Sequence, residues 1–225
     1  MNEAIILAGG LGTRLKSVSG DTPKPLVRVA GKAFIFHLLD KLKIEGIQRV
    51  VLAVSYRAEL FMEVVGETYR EMDILYSVET EPLGTGGGLS QALELVTGSH
   101  ALVINGDTYV DFNLGQVVAD YQRIGTPILL GVVSVPDVGR YGQIEFSESG
   151  HLLAFAEKGG HGEGFINAGV YIVPRKLPDE SAVKFSFETD YLHKKIASIS
   201  TSKIDGYFID IGIPSDYQIA CEYFA

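Results

Sequence analysis

Ala4-Ile5-Ile6-Leu7-Ala8-Gly9-Gly10-Leu11-Gly12-Thr13-Arg14 begins as an apolar run and passes directly into a glycine-rich turn that ends on a cation. The apolar part predicts a strand from Ala4 to Ala8. Glycines tolerate positive φ and let consecutive backbone N–H groups close around an anion, and Arg14 adds a fixed charge. Strand, loop and cation in this order therefore suit a phosphate. A short glycine turn after a strand is also an ordinary connection, and the loop alone does not separate the two readings.

The sequence that follows alternates two patterns. β-rich runs at Arg49 to Ser55, Asp73 to Val78, Ala101 to Asn105 and Thr126 to Val135 are separated by amphipathic stretches at Ala33 to Glu45, Ala58 to Arg70, Gly86 to Val96 and Leu114 to Ile124. Such alternation predicts right-handed crossovers and a doubly wound, largely parallel α/β sheet. Ligands of these sheets bind beyond the carboxyl ends of the strands, which puts Gly9 to Arg14 and Gly106-Asp107 on one rim. Beyond residue 125 the β runs shorten, at Gln143 to Phe146, Leu152 to Phe155, Phe165 to Val173 and Lys203 to Asp210. They predict a small antiparallel extension of the same sheet, with a helix at Thr189 to Ala197 and a last one from Pro214. No composition shift marks a linker, so a single domain over 1–225 is expected.

Composition narrows the ligand. The 225 residues carry a net charge of −9, which argues against nucleic acid or an anionic membrane as partner. A phosphate ligand must then be met by concentrated charge, for which Arg14, Lys24 and Lys158 are candidates, or by a divalent cation. No apolar run approaches the ~18 residues of a membrane span and no signal-peptide pattern opens the chain, so a cytoplasmic location is expected. Cys221 is the sole cysteine, which excludes an internal disulfide; packing on the last helix is its expected role. His37, His100, His151, His161 and His193 show no metal-ligand spacing, and only His161, in a glycine-rich stretch, is kept as a contact for a sugar.

Two common phosphate-binding motifs fail. A dinucleotide fold would need Gly or Ala where Leu15 stands, and an acidic residue where the second strand ends in Val54-Ser55-Tyr56. A P-loop needs Gly-Lys-Ser/Thr, whereas Gly31-Lys32-Ala33 lacks the hydroxyl. What raises the first loop above a plain turn is Pro23-Lys24-Pro25, where two prolines restrain the backbone around a lysine suited to meeting one phosphate.

LAGGLGTRL at 7–15 and PKPL at 23–26 resemble the signature of the sugar-1-phosphate nucleotidyltransferases, the NDP-sugar pyrophosphorylases. The likeness continues through PLGTGGG at 82–88, NGD at 105–107, RYG at 140–142, EK at 157–158, NAG at 167–169 and FIDIGIPSDY at 208–217. Within the family, EPLGTGGG most resembles the branch acting as D-glycero-α-D-manno-heptose 1-phosphate guanylyltransferases in bacterial surface-polysaccharide synthesis, with N-acetylmuramate 1-phosphate uridylyltransferases as competitors. The resemblance implies a Rossmann-like three-layer sandwich with a mostly parallel, mixed central sheet and a small antiparallel β extension. Its first half, 1–125, would bind nucleotide and its second, 126–225, sugar. GTP and a heptose 1-phosphate are the favoured substrates; UTP with another sugar 1-phosphate stays open, as does a homodimer. A silent nucleotide-sugar sensor is the rival from another class, and retention of Arg14, Lys24, Asp107, Lys158 and Asp210 speaks against it.

By the same resemblance, Arg14 clamps the leaving phosphates, Lys24 the phosphate under attack and Lys158 the phosphate of the sugar, while Asp107 and Asp210 hold Mg²⁺. The nucleotide would contact Leu7, Ala8, Gly9, Gly10, Gly12, Thr13, Arg14, Glu79, Leu83, Gly84, Thr85, Gly86, Asn105 and Gly106. Glu79 has the chemistry to accept from guanine N1–H and N2–H₂, and glycines 86–88 would admit a planar base. The sugar would meet Tyr141, Gly142, Glu157, Lys158, Asn167 and Gly169. A sugar phosphate is mostly a dianion near neutrality, its second pKa being ~6, so no general base is needed. Ser17, Gly159 and Ile213 depart from the common pattern of Pro, Pro and Thr, which bears on loop stiffness and sugar choice. Gly159 to Gly164 is read as a hairpin tip in preference to a lid.

Overall fold

β1, Glu3–Leu7, is buried on both faces, with Ala4 and Ile6 in one apolar layer and Ile5 in the other. That alternation sets the architecture, because a strand apolar on both sides needs helices above and below it. The computed structural model describes residues 1–10, 15, 20–156, 159–180 and 182–225. After β1 come the small hairpin β2 (Arg28–Val29) and β3 (Lys32–Ala33), then helix α1 (Phe34–Ile44) and β4 (Arg49–Val54). Helix α2 (Ala58–Val65), β5 (Thr68–Tyr69), β6 (Met72–Val78) and helix α3 (Gly84–Leu93) follow. β7 (His100–Asn105), β8 (Thr108–Val110) and helix α4 (Leu114–Ile124) complete the first half. The second half contains β9 (Ile128–Val135), β10 (Ile144–Phe146), β11 (Leu152–Phe155), β12 (Gly164–Pro174), β13 (Ile199–Ile204), β14 (Phe208–Asp210) and helix α5 (Pro214–Tyr223).

The main sheet has the order β13-β9-β12-β7-β1-β4-β6-β5. β7, β1, β4 and β6 run parallel, β13 is parallel to β9, and β12 is antiparallel to both β7 and β9. The α/β sandwich is as expected, and β12 carries the sheet across the boundary between the halves. One apolar layer holds α1, α2 and α5 side chains such as Phe34, Phe61 and Ala220; the other holds Leu89 and Leu93 of α3. Among the described residues no helix is long and apolar enough to cross a membrane. Cys221 packs half-buried against the first layer, and His37 is buried there with Nε2 3.0 Å from the Val29 carbonyl.

Four expectations need correction. Helix α2 stops at Val65 rather than Arg70, because Gly66 caps it at φ 74° and a tight turn through Arg70 (φ 46°) and Glu71 (φ 65°) joins β5 to β6. The stretch Thr189 to Ala197 is no α-helix. A π turn (Phe187–Tyr191) and two 3₁₀ turns replace it, and they seat Phe187, Tyr191 and Leu192 in the core. Lys203 to Asp210 is not one strand: the chain leaves β13, bends at Gly206, whose added Cβ would lie 1.6 Å from the Asp111 carbonyl oxygen, and pairs with β8 as β14. Finally, the short second-half strands do not all extend the main sheet. β10 and β11 pair only with each other, so Gly159 to Gly164 links strands of different sheets; Gly159 N–H donates to the Gly139 carbonyl and Val138 N–H to that of Gly162.

Candidate active site

The carboxyl ends of β1, β4, β6 and β7 open on a cleft of about 550 Å³. β1 ends at Leu7; Leu7 and Ala8 both line the cleft, and Ala8 N–H donates to the Ala53 carbonyl of β4 at 2.8 Å. Gly9 and Gly10 follow at the wall. The Gly9 carbonyl accepts from the Ser55 hydroxyl at 2.6 Å, and an added Cβ on Gly9 would lie 3.1 Å from Ser55 Oγ and 3.2 Å from Glu79 Oε1. Among the described residues nothing lies within 4 Å of a Cβ added to Gly10, which lines the cleft. Gly12, Thr13 and Arg14, like Glu157 and Lys158, lie outside the described residues.

Lys24 reaches the same cleft from a 3₁₀ turn, Lys24–Leu26, fixed by Pro23 and Pro25. Its ammonium donates to Asp107 Oδ2 at 3.0 Å, and the two side chains are 8% and 35% exposed. Asp107 sits in the two-residue turn Gly106-Asp107 between β7 and β8. Its carbonyl accepts from Ile211 N–H at 3.0 Å, and the β14–β8 pairing sets Asp210 opposite Thr108. The bend at Gly206 thus brings two carboxylates 103 positions apart into one cleft. Asp210 is oriented by Gly212 N–H, which donates to its Oδ1 at 2.6 Å. Among the described residues no group of three or more His, Cys, Asp or Glu is placed to hold a metal. Two carboxylates lining one cleft fit Mg²⁺, which prefers oxygen ligands and keeps waters in its shell.

Glu79, at the end of β6, lines the cleft, and its Oε2 accepts from Leu83 N–H at 3.0 Å. Burial pushes its carboxyl above the usual range, with the Leu83 bond opposing. Gly84 and Thr85 border the cleft, but Leu83 and Gly86 do not. Added Cβ atoms on Gly86 and Gly87 would fall 2.1 Å from the Phe185 ring and 2.3 Å from the Val183 carbonyl oxygen, so these glycines admit the protein's own 183–185 segment rather than a base. Gly88 alone of that run faces the cleft, against Glu79 Oε1. Gly106 likewise serves the fold: it packs where a Cβ would sit 2.7 Å from the Leu7 carbonyl oxygen.

The far wall comes from β12. Asn167 and Gly169 line it, with Asn167 Oδ1 accepting from Gly169 N–H at 2.8 Å and Nδ2 donating to the Tyr171 hydroxyl at 2.8 Å. What Asn167 offers a ligand is the second hydrogen and lone pair of its amide. Gly169, at φ 69°, presses on Asn105, another lining residue. Tyr141 stands edge-on to Phe208 at 5.7 Å, and burial raises its phenol pKa although Arg140 beside it opposes. Gly142 lies outside the cleft lining and turns the chain at φ 85°. His161 is exposed and does not line the cleft.

Sequence reasoning missed Ser55, Thr108, Phe208 and Glu188, all of which line the cleft. Ser55 ends a β-rich run and was legible as a rim residue. Glu188 had no local signal. It arrives because Thr85 donates to its Oε2 at 2.9 Å while accepting from Phe187 N–H at 2.9 Å.

A family model described as nucleotidyl transferase matches residues 3–218. Curated D-glycero-α-D-manno-heptose 1-phosphate guanylyltransferases are 38% identical: that of Campylobacter jejuni subsp. jejuni serotype O:2 over 96% of this chain and 96% of the relative, and that of Aneurinibacillus thermoaerophilus over 97% and 96%. Among solved structures, HddC from Yersinia pseudotuberculosis complexed with GMP-PN superposes over all of both chains with a TM-score of 0.91 at 41% identity.

Proposed function

The chain belongs to the nucleotidyl transferase family, and from that premise we propose that it transfers a guanylyl group from GTP to D-glycero-α-D-manno-heptose 1-phosphate, releasing pyrophosphate. The observation that carries this reading is the convergence of Lys24, Asp107 and Asp210 with the Gly9-Gly10 backbone on one cleft, in a chain 38% identical to heptose 1-phosphate guanylyltransferases. A phosphate oxygen of the sugar phosphate attacks the α-phosphorus of GTP. The bond from that phosphorus to the α,β-bridging oxygen breaks, and its electron pair leaves with pyrophosphate.

The barrier is electrostatic. Two unit charges at about 4 Å repel by ~1 kcal/mol in water and by about 4 kcal/mol at an effective dielectric of ~20, so neutralising and aligning two polyanions is the main task. Lys24 meets the phosphate under attack, Gly9 and Gly10 present amides to the triphosphate, and Arg14 is assigned the leaving phosphates. Asp107 and Asp210 would hold Mg²⁺, which when bound would supply charge neutralisation for the reacting phosphates. Lys158 is assigned the sugar's phosphate, and Asn167 and Glu157 its hydroxyls. Residues 1–125 thus serve mainly the nucleotide and 126–225 mainly the sugar within one domain, with Asp210 joining Asp107 at the Mg²⁺ site from the second half.

Pyrophosphate release measured with GTP, UTP, CTP and dTTP against heptose, mannose and N-acetylmuramate 1-phosphates tests the assignment. GTP with the heptose phosphate is expected to give the highest kcat/KM. Dominance of UTP, or no release with any pair, overturns it. Lys158→Met is expected to lower kcat/KM for the sugar phosphate, and an unchanged value removes that role.

A further inference from the structure

We propose that Lys24 is the resident counter-ion of Asp107, and that its ammonium leaves this carboxylate for phosphate when a divalent cation takes its place, so that cation and nucleotide binding are coupled through one lysine. The inference rests on the metal role proposed for Asp107 above.

Lys24 is 8% exposed, and an ammonium that deep in the protein needs a charged partner. Asp107 Oδ2, 3.0 Å away, provides one. The lysine backbone has little freedom to adjust: Pro23 and Pro25 flank it, Leu26 N–H donates to the Pro23 carbonyl at 2.8 Å, and Val27 N–H to that of Lys24 at 3.1 Å. Any relocation of the ammonium is therefore a side-chain rotation about a fixed anchor. A divalent cation held by Asp107 would stand within a few ångströms of that ammonium, and their repulsion excludes joint occupancy unless a phosphate oxygen receives the lysine. Cation binding to the free protein must break the Lys24–Asp107 pair, whereas binding together with nucleotide replaces it by a lysine–phosphate pair. By linkage the nucleotide strengthens cation binding, and the cation strengthens nucleotide binding by the same factor. The pair also keeps the Asp107 charge from repelling incoming phosphates before the cation is present.

The test is calorimetric titration with Mn²⁺ alone, without nucleotide, on the wild type, Lys24→Met and Asp107→Asn. Lys24→Met is expected to bind Mn²⁺ roughly tenfold to a hundredfold more tightly than wild type, the scale of losing one charge-assisted hydrogen bond that competes for the site. Asp107→Asn is expected to bind it more weakly. Unchanged or weaker binding by Lys24→Met, with Asp107→Asn still impaired, overturns the exchange and leaves the metal role standing. Binding by Asp107→Asn equal to wild type overturns both. Should Lys24→Met not fold, the ¹⁵N-ammonium resonance of Lys24 in the wild type decides. It is expected to shift when Mg²⁺ is added and to shift again with GMP-PN; indifference to Mg²⁺ overturns the exchange.

Discussion

Asp107→Asn keeps the shape of a side chain that is 35% exposed and leaves an amide oxygen to accept from Lys24, so the fold is expected to survive the substitution with some loss of stability. Turnover at saturating Mg²⁺ is expected to fall by about a hundredfold or more, the scale of losing one preorganised charge interaction at a transition state. Steady-state kcat with a thermal melt as control checks this; near-normal kcat in a folded variant removes the metal role. The places of Lys24, Asp107 and Asp210 in the cleft were legible in the sequence, Lys24 from its proline-flanked position beside the glycine loop, Asp107 from its position after a parallel strand, and Asp210 through the family resemblance of its motif. Glu188 was not, because its place in the cleft depends on Thr85, about a hundred positions away, and no local pattern encodes that pairing. Asn167 was half legible. Its position was foreseen, yet its amide is first engaged with Gly169 and Tyr171, which a sequence does not reveal.

At the scale of elements, glycine is where sequence reading confused two demands. A glycine required by a ligand and one required by a neighbouring backbone look alike, and only packing separates Gly10 from Gly86. Gly86→Ala drives a methyl into the Phe185 ring and is expected to cost about 1–3 kcal/mol, a loss of roughly 2–4 °C in Tm per kcal/mol for a chain of this size. Among the described residues Gly10→Ala meets no atom within 4 Å; it is expected to leave stability within ~0.5 kcal/mol while raising KM for GTP, because the role proposed for its amide is to meet the triphosphate. Denaturant unfolding and KM measured on both variants check the pair; an unchanged KM in Gly10→Ala removes the anion role of the loop. Helix α4 was legible to both ends, since Asn113 caps it by accepting from Gln116 N–H and Gly125 closes it at φ 76°. The stretch 187–198 was not. Its apolar residues fit a helical period, but burying Phe187, Tyr191 and Leu192 takes a π turn and 3₁₀ turns instead.

At the scale of the molecule, the alternation of strands and helices foretold the parallel core, whereas the insertion of β12 between β7 and β9 and the departure of β14 toward β8 are long-range choices that periodicity does not contain. The resulting sheet has two ends with different work. The carboxyl ends face the cleft, and at the opposite end the buried Glu3 ties β1 to the segment before β7. Its Oε2 accepts from Gly98 N–H at 2.6 Å, both its oxygens from Thr97 N–H, and Arg49 stands 3.4 Å from Oε1. Burial alone would raise this carboxyl's pKa, but the bonds from Gly98, Thr97 and Arg49 outweigh it and hold the pKa below the ordinary glutamate value. A folded-state pKa below the unfolded one means stability that is fully present above the unfolded value and is lost as pH falls through the folded value. Glu3→Gln is therefore expected to cost about 1–3 kcal/mol at neutral pH, by leaving buried N–H groups poorly paired, and to lessen the fall in unfolding free energy below the glutamate range. Because Glu3 lies at the end of the sheet away from the cleft, kcat at pH 7 and ambient temperature is expected to stay within about twofold of wild type, well short of a tenfold change that would correspond to 1.36 kcal/mol of activation free energy. Urea unfolding at several pH values between 3 and 7, read beside kcat, checks both halves. An unaltered acid slope in the variant would show that Glu3 does not carry this stability.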